Sequence, residues 1–86
     1  MLLGLAGPTN GLELGTLPAK TCQQLWYMEQ EVLVEGRVCL QTERAKRAFR
    51  SAPPCISAEE RILPAELKKD LLAIRQAAAN KTCFRN

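Results

Sequence analysis

The most regular alternation of apolar and polar positions lies in the last third of the chain. Leu67, Leu71, Ile74 and Ala78 recur at helical steps, and Leu63 extends the row backwards. That spacing places them on one side of an α-helix, with Lys68, Lys69, Arg75 and Gln76 turned away. Between Ala65 and Ala79 there is no Gly or Pro, and Ile74 is the single β-branched residue. Pro64 fits a first helical turn, where its missing N–H is harmless. Glu66 suits the positive end of the helix dipole, and Asn80 is an acceptable stop. The pattern predicts a helix over 64–80 whose apolar stripe, edged by Ala77–Ala79, needs another surface.

A second helical pattern opens at Thr21. Thr21 and Gln24 are spaced as a capping box, in which each satisfies an orphan amide of the other. Cys22, Leu25, Trp26, Glu29, Val32 and Leu33 follow at helical spacing. The stretch from Glu31 to Leu40 then turns β-branched, with Gly36 at its middle. One reading is a hairpin turning at Glu35–Gly36, although Glu–Gly is a weak turn signal. The other is a continuous helix that tolerates Gly36 at about 1 kcal/mol. The helix is preferred, because both flanks are helical and a lone hairpin is unstable. Ala45, Ala48 and Phe49 next share a face, and Glu43 is spaced to pair with Lys46 and Arg47. A helix over 21–50 is therefore expected, intact or interrupted near Gly36. Pro53 and Pro54 end it and make a loop over 51–57. Ser57 and Glu60 repeat the capping-box spacing ahead of a short turn at Ala58–Ile62.

Residues 1–20 follow neither period. Gly4, Gly7, Gly11 and Gly15, with Pro8 and Pro18, break up a Leu-rich tract. Asn10–Gly11 marks a turn. The expectation is an extended arm that docks on this chain or on a partner. The fold class predicted is all-α: a small helical hairpin with an extended Leu/Gly-rich N-terminal arm (1–20), carried on one helical domain (21–86).

Size sharpens this picture. With 86 residues the chain has room for a single thin core, so a staple or a partner is called for. The net charge of +3 speaks to solubility rather than to a partner. The chain holds no His, which removes Ser–His–Asp and Cys–His catalysis within it. There is no phosphate loop or metalloprotease helix, and Glu29–Glu31 and Glu59–Glu60 do not converge. A non-catalytic protein is expected, with no cofactor and no metal.

Four cysteines, Cys22, Cys39, Cys55 and Cys83, admit three complete pairings, among which sequence does not choose. Cys22 and Cys39 can meet across antiparallel elements, as can Cys55 and Cys83, and the pairing stays open. Their sixteen, fifteen and twenty-seven intervening residues do not match the close ligand pairs of structural zinc sites. The opening Met1–Gly7 is apolar but short and lacks a basic flank, so it makes a poor signal peptide. It is also too short to span a bilayer. On that ground an intracellular protein with free thiols is favoured. Asn80–Lys81–Thr82 has the form of a glycosylation acceptor, which without export carries no meaning.

Two groups of residues are candidate contacts. Leu3, Leu5, Trp26 and Tyr27 are candidates for a protein partner, since Trp and Tyr supply large rigid contact area. Arg37, Arg44, Arg47 and Arg50 form the basic candidate set. On a helix Arg44 and Arg47 lie on one side with Arg37 near, and Lys46 and Arg50 lie on another. The first functional expectation is a protein–protein interaction module or small subunit that binds a partner or itself. The alternatives are a nucleic-acid-binding accessory using the basic 37–50 segment, and a secreted, disulfide-stapled helical ligand.

Overall fold

A computed structural model describes residues 14–83. A 3₁₀ helix over Leu14–Ala19 leads into α1, Cys22–Glu35. Then come the short α2, Glu43–Ala48, a 3₁₀ turn over Glu60–Ile62, and α3, Ala65–Asn80. The result is a three-helix all-α domain. The first thirteen residues of the expected arm, Leu3 and Leu5 included, lie outside the described residues. Its last part is helical rather than extended, and Leu17 there is buried in the core.

Local chemistry accounts for the helix starts. Thr21 Oγ1 accepts from the Gln24 amide at 3.0 Å, while Gln24 Oε1 accepts from the Thr21 amide at 2.8 Å. This is the expected capping box. Thr42 caps α2 by accepting from the Ala45 amide at 3.1 Å. The Ser57–Glu60 box does not form. Ser57 Oγ accepts from the Glu59 amide instead, at 3.0 Å, and the Glu60 carboxylate pairs with Arg75.

The helix expected over 21–50 is broken, and no hairpin takes its place. The Val38 amide donates to the Leu33 carbonyl at 2.8 Å and the Arg37 amide to the Val34 carbonyl at 3.0 Å. That is the Schellman closure of a helix end. Its left-handed residue is Arg37, with φ 63°, and not the adjacent Gly36, with φ −88°. Gly36 is needed for a different reason. A Cβ there would overlap Leu63 Cδ2 and press on Leu67 Cδ1 at 3.3 Å. The end of α1 thus abuts the start of α3 with only hydrogen between them. Beyond it, Val38 and Ser57 form an isolated parallel bridge. The Cys39 amide donates to the Ser57 carbonyl at 2.8 Å and the Ile56 amide to the Arg37 carbonyl at 2.7 Å.

α1 and α3 run antiparallel, since Gly36 meets Leu63 at one end and Cys22 meets Cys83 at the other. Between them lies the core. Leu25, Val32 and Leu33 from α1 meet Leu71, Ile74 and Ala77 from α3, with Leu17, Val38 and Leu63 closing the ends. The face of α3 that is fully covered runs through Ala77, leaving Leu67 and Ala78 partly covered. α3 ends as α1 does: the Cys83 amide reaches the Ala78 carbonyl at 2.9 Å and Thr82 takes the left-handed conformation at φ 56°.

The free-thiol expectation is overturned, and the pairing that the sequence left open is settled. Cys22 pairs with Cys83 and Cys39 with Cys55, using all four thiols. The antiparallel partner of Cys22 is the residue just past α3, because Cys39 sits at the opposite end of α1. Disulfides of this kind persist in oxidising compartments and are rare in reducing ones. The intracellular expectation is therefore corrected to an oxidising, secretory or extracellular setting.

One ion cluster joins three elements. Arg75 Nε donates to Glu29 Oε2 at 2.7 Å, and its two terminal nitrogens donate to both oxygens of Glu60 at 2.9 and 2.7 Å. Glu29 is 8% exposed. The fork-on-fork pairing with Glu60 holds the Arg75 guanidinium above its ordinary pKa against the opposing effect of burial, with Glu29 adding to the rise.

Candidate partner-binding surface

α2 has six residues and a single buried side chain, Ala45, which stands apart from the main core. Side chains clamp it to α1. The Arg44 guanidinium lies over the Trp26 ring at 3.8 Å from its centroid and donates to Gln23 Oε1 at 2.6 Å. The rings of Tyr27 and Phe49 stack at 4.7 Å. Trp26 is thus half-buried and engaged internally, whereas Tyr27 keeps 42% of its surface exposed beside Lys20, Gln24 and Met28. Ile56 and Leu72 are the other large apolar side chains exposed among the described residues.

The four candidate arginines do not form one surface. Arg44 is spent on Trp26, and Arg47 lies on the exposed side of α2. Arg37 and Arg50 converge on a groove of about 540 Å³ between the end of α1, α2 and the Pro53–Cys55 segment, where Lys46 joins them. Its apolar lining includes Val34, Leu40, Phe49 and Pro53, and the Cys39–Cys55 disulfide forms part of its wall. None of the lining residues is acidic. Lys46 meets Glu43 at 3.8 Å, but both side chains are more than half exposed, so the pair neutralises little. Arg37 donates to the Pro54 carbonyl at 3.4 Å, a contact that ties α1 to the loop without cancelling charge.

Lys46 was legible as a partner of Arg50, one helical turn apart. That Arg37 would join them rather than Arg44 was not, because the left-handed turn at Arg37 redirects the chain. The Arg75–Glu29–Glu60 cluster also escaped the pattern. Its signal was Glu29 itself, an acid inside an apolar stripe, which requires a buried partner. Among the described residues, no group of three or more His, Cys, Asp or Glu is placed to hold a metal. No described helix is long and apolar enough to cross a membrane. Compared with protein-family models, with curated proteins and with solved structures, the chain matches none of them.

Proposed function

We propose that this protein is a secreted, disulfide-stapled helical ligand, non-catalytic, that works by binding a protein partner. The observation that carries this reading is the pairing of all four cysteines into two intramolecular disulfides. Small domains that cannot bury a large core are commonly stapled in this way in oxidising compartments. The Cys22–Cys83 bridge closes a loop with a sequence separation of 61, and Cys39–Cys55 one of 16. By the chain-entropy relation these closures stabilise the fold by about 4 and about 3 kcal/mol. Rigid presentation of Tyr27 and of the basic groove would lower the ordering cost of binding.

Two measurements test this. Intact mass of native protein before and after reduction should show both disulfides, with peptide mapping to the stated pairs. Labelled oxidised protein should then bind responsive cells saturably, and unlabelled oxidised protein should compete while reduced, alkylated protein should not. Four free thiols in the native protein, or competition unaffected by reduction, would overturn the reading.

A further inference from the structure

The groove beside α2 combines two kinds of chemistry. Val34, Leu40 and Phe49 give it an apolar floor, and Arg37, Lys46 and Arg50 give it positive charge with no acid in the lining. Its volume of about 540 Å³ falls within the usual range of ligand sites. A polyanion alone would use the cations and gain nothing from the floor. A purely apolar segment would be discouraged by the cost of desolvating three cations while bringing no anion to them. The ligand that satisfies both carries acidic groups around one apolar side chain.

We propose that this groove takes an acidic peptide segment of the partner protein, with one apolar anchor seated over Val34 and Phe49 and flanking carboxylates facing Arg37, Lys46 and Arg50. The proposal rests on the ligand reading and names the chemistry of the partner. Arg37 supports it in a second way. Left-handed helix ends are ordinarily given to Gly, because a side chain there is strained by about 1–2 kcal/mol. At this end the glycine sits one residue early, under Leu63, and an arginine occupies the left-handed site at the groove. The groove spans the end of α1 and the smaller disulfide ring, whose Cys39–Cys55 bond, with the paired segments around Val38 and Ser57, holds its two walls together. Such pre-ordering favours capture of an extended segment.

The test uses oxidised full-length protein whose disulfide pairs have been mapped. The probe is a fluorescein-labelled peptide of glutamates flanking a single phenylalanine, followed by anisotropy. Saturable binding is expected. The Lys46→Glu/Arg50→Glu double variant should bind about tenfold or more weakly, and replacing the phenylalanine of the peptide by alanine should do the same. Arg47→Glu alters charge on the same helix outside the groove and should change affinity by less than about threefold. Circular dichroism checks that each variant keeps its helices, and Lys46→Gln/Arg50→Gln provides a milder second version.

Absence of peptide binding by correctly bridged protein would overturn the groove proposal and leave the ligand reading intact. An equal loss with Arg47→Glu would reduce it to net charge. Tighter binding of heparin fragments or a single-stranded oligonucleotide, lost with the same residues and indifferent to the anchor, would assign the groove to polyanions instead. Free thiols in native protein would strike the ligand reading itself, whatever the peptide does.

Discussion

The α1–α3 pair and the α2 lobe that spans residues 37–57 are held by different forces. Between α1 and α3 the sequence supplies facing apolar stripes, and burial of side chains such as Leu25 and Ile74 does most of the work. Apart from Val38 and Leu40, which reach the main core at its root, the α2 lobe has little apolar surface to bury. It relies on a ring stack, one arginine over a tryptophan, a threonine cap and a disulfide. The difference teaches that a covalent bridge has different tasks in the two places. Cys22–Cys83 reinforces a pair of helices that already has a core, whereas Cys39–Cys55 stands in for a core.

Removing the bridges separately is the strongest way to break this comparison. Cys22→Ser/Cys83→Ser should lower global stability by about 4 kcal/mol, read as a lower urea midpoint for the whole helical signal. Cys39→Ser/Cys55→Ser should lower it by about 3 kcal/mol or less. Hydrogen exchange should then quicken first at the Cys39-position and Ile56 amides, while α1 and α3 stay protected. Uniform exchange across both regions would show the lobe and the pair to be one cooperative unit.

A smaller effect is expected at Arg75. Arg75→Ala removes the guanidinium shared by Glu29 and Glu60 and should destabilise by about 2–3 kcal/mol in denaturant titrations. Arg75→Lys should recover only part, since an ammonium cannot pair in a fork with Glu60. The folded guanidinium pKa is raised, so its charge and its stabilisation are complete at neutral pH. They fall away only when strongly alkaline pH passes the folded value. A loss from Arg75→Ala that shrank between pH 6 and 9 would contradict this.

The smallest effect sharpens the contrast from the other side. Arg44→Ala should cost about 0.5–1 kcal/mol, the scale of an exposed cation over an aromatic ring. It should also change the near-ultraviolet dichroism of Trp26 without altering the helical signal. A global loss of several kcal/mol would mean that α2 shares in the main core after all.

Legibility in the sequence follows the same division. The stripe through Leu71 and Ile74, the Thr21–Gln24 cap and the stop at the Pro–Pro loop are local patterns, and each was readable because helix periodicity and capping act over a few residues. What escaped depends on contacts distant in sequence. Gly36 looked like a weakened helix interior or a turn, and only the presence of Leu63 against it explains the glycine. The cysteine pairing depended on which helix end each thiol reached, which required knowing that α1 stops at Glu35. Compartment went with it: an unpromising Met1–Gly7 opening outweighed the even cysteine count until the pairing was in view. Of the candidate contacts, Tyr27 remains exposed and Arg37 and Arg50 share a groove, while Trp26 and Arg44 occupy each other.

The nesting of the two bridges has a consequence for survival outside the cell. Cys39–Cys55 lies wholly within the ring closed by Cys22–Cys83. Any single cut of the backbone between Cys22 and Cys83 therefore leaves one covalent molecule. Of the exposed residues at which a trypsin-like protease would cut, Arg44, Lys46, Arg47 and Arg50 fall inside the inner ring, and Arg37, Arg61, Lys68, Lys69 and Lys81 fall between it and the outer bridge. A nick there opens a loop but sheds no fragment, and α1, α3 and the bonds between them remain joined.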